Sequence, residues 1–76
     1  MKRDPFFVWT VYDKPSDAPH CFVARRFEIK PEGLRATGTF MIGPDLDIIR
    51  EQLLTMGLIP LARNEEDDSK IVETWI

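Results

Sequence analysis

The stretch Phe6 to Tyr12, "FFVWTVY", is aromatic and β-branched almost without a break, the composition of a strand. "DKPSDAPH" behind it has the proline, aspartate and serine content of a loop. From Cys21 to Ile29 the positions alternate, with Cys21, Val23, Phe27 and Ile29 on one face and Ala24, Arg26 and Glu28 on the other. That period of two predicts a second strand, antiparallel to the first, with the Val23 face toward the core. "KPEG" supplies turn chemistry with Gly33 suited to a positive φ, and a third strand is predicted over Thr37 to Ile42.

The pattern then changes period. In "GPDLDIIREQLLTMG", Leu46, Ile49, Leu53 and Met56 recur at three- and four-residue spacing while Asp47, Arg50 and Glu51 face away, which predicts a helix. Pro44 suits its first turn, Asp45 and Asp47 suit the positive end of the helix dipole, and Gly57 suits a C-terminal cap. "LIPLAR" predicts a short strand at a sheet edge, because Pro60 has no N–H to donate to a ladder. "KIVETWI" predicts a closing strand. The order β-β-β-α-β-β predicts an α+β, two-layer fold: a mainly antiparallel sheet of four to five strands with one helix on one face.

Composition narrows the picture. With 76 residues, 43% hydrophobic and 30% charged, the chain is expected to form a single small domain over residues 1–76. At this size folding buries only about 60% of the surface that the unfolded chain exposes. Something beyond one core is therefore expected to stabilise it. One cysteine excludes an internal disulfide, and no histidine and cysteine cluster has zinc spacing, so no metal or other cofactor is expected. Self-association becomes the natural candidate. The two basic residues before the first apolar run resemble the start of a signal peptide, but the run is only about seven residues long and has no small-residue cleavage site. No stretch approaches the about 18 apolar residues of a bilayer span, and a cytoplasmic protein without a membrane partner is expected.

Net charge is −3, unevenly spread. Residues 1–35 carry seven basic and five acidic side chains, whereas residues 36–76 carry three and eight. The second half repels polyanions. Glu65 to Asp68 reads as a solvated turn, since four contiguous carboxylates lack the alternation and central glycine of a calcium loop. Nucleic-acid binding would need a basic, aromatic sheet face built from Trp9, Tyr12, Arg25 and Arg26. The acidic balance argues against it, and Trp9 is expected in the core.

"VWTVYDKPSDAPHCFVARRFEI" and the closing "IVETWI" resemble a group of small bacterial proteins of no known activity. Those proteins share a tryptophan and tyrosine strand, an Asp-x-Pro loop, a Phe-Val-Ala-Arg-Arg strand and a tryptophan-bearing final strand. The resemblance implies a bacterial cytoplasmic protein and carries no catalytic residues with it.

Candidate chemistry is sparse. His20 and Cys21 are neighbours in an extended segment, so their side chains diverge, and Cys21 is expected to be a small core residue rather than a nucleophile. Arg25 falls on the apolar face of its strand. Three explanations stay open: a bulge at Ala24 to Arg26 that turns both arginines outward, a stem packed on the sheet with its guanidinium at the rim, or an anion site. Glu73 and Asp13 are the candidate carboxylate partners. The expected function is that of a small noncatalytic binding or regulatory module acting through a sheet edge or face on a protein partner or a second copy, with Arg25, Arg26, Tyr12 and His20 as candidate binding residues. Weak anion or nucleic-acid binding through the Arg25 and Arg26 strand is the alternative.

Overall fold

The structure, a computed structural model, describes residues 6–61 and 70–76. In chain order it contains β1 (Phe6–Asp13), β2 (Phe22–Lys30), β3 (Gly33–Gly43), α1 (Leu46–Thr55), β4 (Pro60–Leu61) and β5 (Ile71–Trp75). All strand pairs are antiparallel, and the sheet order is β3-β2-β1-β5-β4. The fold is therefore α+β, with α1 against one face of a five-stranded sheet, and Pro60 lies on an edge strand as its missing N–H requires. The acidic run 65–68 lies outside the described residues.

β1 is central, and its composition explains why. A strand with no polar alternation has apolar groups to bury on both faces. Val8, Trp9, Thr10 and Val11 are all buried. On the helix side Trp9 and Val11 join Ala24, Trp75, Ile49 and Leu53 in the core, with Phe22, Met41, Leu46 and Leu58 packed around them.

This overturns the expected orientation of β2. Arg26 pairs with Trp9 and Ala24 with Val11, so the helix covers the Ala24 face, and the Val23, Phe27 and Ile29 face is the one without a helix. Alternation separates two faces but does not say which receives the helix. The small Ala24, with no accessible surface, lets Ile49 and Leu53 settle onto the sheet. Cys21 precedes the strand and is only half-buried, contrary to the core position expected for it.

The helix ends are fixed by local chemistry. The Asp45 carboxylate accepts a hydrogen bond from the Ile48 N–H at 3.1 Å, which makes Asp45 the N-cap and leaves Pro44 outside the first turn. At the other end the N–H of Gly57 donates to Leu54 and that of Leu58 to Leu53, at 2.9 and 3.2 Å. This Schellman arrangement needs a left-handed residue, and Gly57 has φ 81°. Met56, predicted to face inward, is the C-cap and is 51% exposed.

β3 is longer than predicted because the turn occupies only Pro31 and Glu32, and Lys30 already pairs with Gly33. A bulge at Ala24 to Arg26, one of the three explanations open for Arg25, is absent; the irregularity lies in β3. The β1–β2 register runs unbroken from Phe6 and Ile29 to Asp13 and Phe22. Across β2 and β3, Arg25 opposes Phe40 and Phe27 opposes Ala36, so Thr37, Gly38 and Thr39 all face Arg26 alone. Gly38 takes φ 84° there, a conformation that side chains with a Cβ rarely adopt.

One ion pair fastens the helix to β5, on the sheet face that the helix covers. Arg50 Nε and a terminal guanidinium nitrogen reach the two carboxylate oxygens of Glu73 at 3.0 and 3.1 Å. Those hydrogen bonds are the main reason that the Arg50 guanidinium is held above its ordinary pKa; desolvation opposes them, and Coulombic attraction to Glu73 and Asp47 adds to them. A raised cation contributes stability that is fully present below its unfolded pKa and lost as pH rises through the folded one, so the arginine's own titration acts only in strongly alkaline solution.

Two predictions follow from this packing. Leu53→Ala should cost about 2 to 5 kcal/mol in urea unfolding, because Leu53 has no accessible surface and leaves a cavity under α1. An unchanged urea midpoint would contradict its place in the core. Arg50→Gln should cost about 1 kcal/mol or less, since the arginine side chain is 43% exposed and water screens the pair. That loss should shrink as salt is added.

Candidate functional site

Because β2 alternates without a bulge, its adjacent arginines emerge on opposite faces of the sheet. One hollow, beside Phe40, is still bordered by both. Each is explained by different neighbours.

Arg26 lies on the helix side, beyond the end that α1 covers. Its guanidinium stacks over the Phe7 ring at 4.3 Å, and its Nε donates to Thr37 Oγ1 at 3.1 Å. The Thr37 hydroxyl in turn donates to the Arg26 carbonyl at 3.1 Å and accepts from the Thr39 N–H at 3.2 Å. Arg26 and Thr37 thus stitch the β3 bulge to β2. Arg35 and Glu28 line the same shallow cleft, so its positive charge faces a carboxylate.

Arg25 lies on the helix-free face and pairs with Asp17 of the β1–β2 loop. Neither Glu73, held by Arg50, nor Asp13 is its partner. The loop is folded by its own backbone: Lys14 N–H donates to Cys21 at 3.1 Å, Ala18 N–H to Pro15 at 2.9 Å and Cys21 N–H to Ala18 at 3.2 Å. Asp17 and Ala18 are thereby brought beside Val23 and Ile42. This explains how Val23 is only 1% exposed on a face that no helix covers.

Of the other candidates, Tyr12 shares the face of Arg25, opposite Val23 and half-buried. His20 is exposed in the loop. The structure therefore places Tyr12 and Arg25 on one face, Arg26 on the other and His20 outside both.

The helix-free face carries a feature that the candidate residues did not capture. Phe6, Ile29, Leu34, Phe40, Ile42 and Leu61 all point from it, by their register with Ile29, Phe6, Ile29, Arg25, Val23 and Thr74. They make up six of the eleven exposed large hydrophobic residues among the described residues, so the apolar surface is concentrated on one side. Phe40, 58% exposed, stands between two hollows of about 260 Å³ each. One is lined by Phe27, Ala36 and Gly38, the other by Val23, Ile42 and Ala18, and Arg25 borders both. Arg25 is the one charged residue among the paired strand positions of this face. The signal for it was present in β1, whose apolar run, interrupted only by Thr10, called for burial on two sides while the chain offered one helix.

Among the described residues no three histidine, cysteine, aspartate or glutamate side chains gather as a group able to hold a metal ion, and no helix is long and apolar enough to cross a membrane. No protein-family model, curated protein or solved structure matches the chain.

Arg25 can now be tested as a structural residue. Its side chain is 38% exposed and that of Asp17 61%, so Arg25→Ala and Asp17→Asn should each cost about 1 kcal/mol or less. Phosphate should leave the wild-type melting temperature unchanged. A phosphate-dependent rise that disappears in Arg25→Ala would make this an anion site, since a ligand stabilises the state that binds it.

Proposed function

We propose that the protein is a noncatalytic binding module that engages a protein partner through the helix-free face of its sheet, in the bacterial cytoplasm that its sequence resemblance implies. The observation that carries this reading is the number of exposed apolar side chains on that face, with hollows on either side of Phe40. Contiguous apolar surface of this kind marks interaction sites in water-exposed proteins, because leaving it in water has a free-energy cost that a partner removes. Tyr12 sits on the same face, and aromatic residues with a polar tip suit such surfaces.

Nucleic-acid binding is the weaker reading. A strand-tracking groove needs several cations along one surface, whereas the two arginines diverge, Arg25 is already paired with Asp17 and the chain has net charge −3. Catalysis has no assembled group to support it: His20 is exposed and Cys21 is half-buried at the end of a loop.

Two measurements check the proposal. At high dilution the wild type should take up the fluorescent apolar dye ANS, and Phe40→Asp should lose most of that uptake. Titration of the isotope-labelled protein with a short RNA, a short DNA and inorganic phosphate should leave the amide resonances of Arg25, Arg26 and Trp9 in place. Dye uptake indifferent to Phe40→Asp, or oligonucleotide shifts centred on the arginines, would overturn the reading.

A further inference from the structure

We infer that the occupant of the helix-free face is a second copy of this chain, packed face to face about a twofold axis; this rests on the reading of that face as the binding surface. A twofold contact presents one patch to itself, so each copy must carry both a projection and a recess that fits it. The face meets that condition. Phe40 is the projection, and the hollows of about 260 Å³ beside it are recesses on the same surface, each larger than one aromatic side chain. About the axis, Phe40 of each copy enters the recess bounded by Phe27, Ala36 and Gly38, or that bounded by Val23 and Ile42, on the other.

Area is consistent with a stable pair. Val8, Thr10 and Val23 are already buried on this face, so the contact is made by the side chains standing around them; at about 4.8 Å between strands and about 3.3 Å per residue, the sheet beneath covers roughly 550 Å² in projection. Side-chain relief raises this toward the about 800 Å² per partner of a standard stable interface. Two sheets meeting in this way stand about 10 Å apart, and their inner side chains interdigitate.

Electrostatics permits the same closure. Covering an unpaired arginine would leave a desolvated charge, which is strongly unfavourable. Arg25, the one charged residue among the described paired strand positions of this face, already has Asp17 and enters the contact as a neutral pair, while Arg26, which also borders the Phe27 recess, is engaged by Phe7 and Thr37. A nucleic acid or an anionic membrane would gain little from a cation so engaged, whereas an apolar surface of the same shape covers the exposed side chains of Phe6, Ile29, Leu34, Phe40 and Ile42.

The rival route to a dimer, along a sheet edge, is obstructed on both sides. β4 offers two residues, one of them Pro60. β3 is long, but its edge is broken at Thr37 to Thr39, and the Thr39 N–H is taken by Thr37 Oγ1. Bulges and prolines are the means by which edges are kept from pairing. The apolar surface therefore lies on the face and the obstacles lie on the edges.

Sedimentation equilibrium of the full chain over a wide concentration range decides the matter. The wild type should approach twice its 8.8 kDa mass on concentration. Phe40→Asp, with unchanged circular dichroism, should weaken association by about thirtyfold or more, as loss of an aromatic anchor seated in a recess does. Ala36→Leu, which fills a recess without adding charge, should weaken it as well and keeps the test valid should Phe40→Asp fail to fold. Leu54→Gln, 59% exposed on the helix, should leave association unchanged. A wild type that stays monomeric at every concentration overturns the second copy as occupant, and so does a dimer that survives both face variants. The dye measurement separates the two levels: a monomer whose ANS uptake still depends on Phe40 keeps the binding face and loses only the self-pairing, whereas a monomer without such uptake loses both.

Discussion

One ten-residue helix has a five-stranded sheet to cover, and most features of the protein follow from that mismatch. A helix of this length is about 15 Å long and 10 Å wide, enough for one end of one sheet face. Under it lie Trp9, Val11, Ala24 and Trp75, the best-buried part of the sheet. Away from it the chain uses other means. Arg26 lays its stem and guanidinium across Phe7, and the β1–β2 loop folds over Val23 with Asp17 held by Arg25. Charged residues here act as covers for apolar surface, as long side chains with apolar stems can.

The pair Arg25 and Arg26 shows how strictly strand geometry governs such roles. A single unbulged strand sends two chemically identical neighbours to surfaces with different needs. One stabilises a loop, the other a bulge. The bulge absorbs in β3 the irregularity that the sequence pattern invited one to place in β2, because Gly38 provides a left-handed position and Thr37 provides the hydroxyl that binds the displaced backbone. β2, flanked by two long partners, has no such freedom.

The element order, the α+β class, the helix with its Gly57 cap and the edge position of Pro60 were legible because each rests on local chemistry: period, capping and a missing N–H. Face assignment was not. Alternation in β2 is symmetric between its two sides, and the choice was made by contacts with α1 and β1, far away in sequence. Partners of charges were equally hidden, since Glu73 goes to Arg50 across the sheet and leaves Arg25 to the nearby Asp17. Of the candidate site, Arg25 and Tyr12 belong to the surface that the structure singles out. Phe40, on its edge strand β3, was read only as part of a strand, because exposure of an apolar residue depends on what fails to cover it.

The position of β5 has a bearing on the route to the native state. β1, β2 and β3 are joined by hairpin connections and can pair while the rest of the chain is still unstructured, since closing a short loop has a small entropic cost. The second margin of β1 is completed only by β5, near the other end of the sequence. Until that strand docks, the most apolar segment of the protein has one row of backbone donors and acceptors open, and Trp9 lacks the indole of Trp75 beside it. Long-range pairing of this kind is slow compared with hairpin formation. The aggregation hazard of this fold therefore lies in the middle of its sheet during folding rather than at the margins of the finished molecule, and the last strand to arrive is the one that removes it.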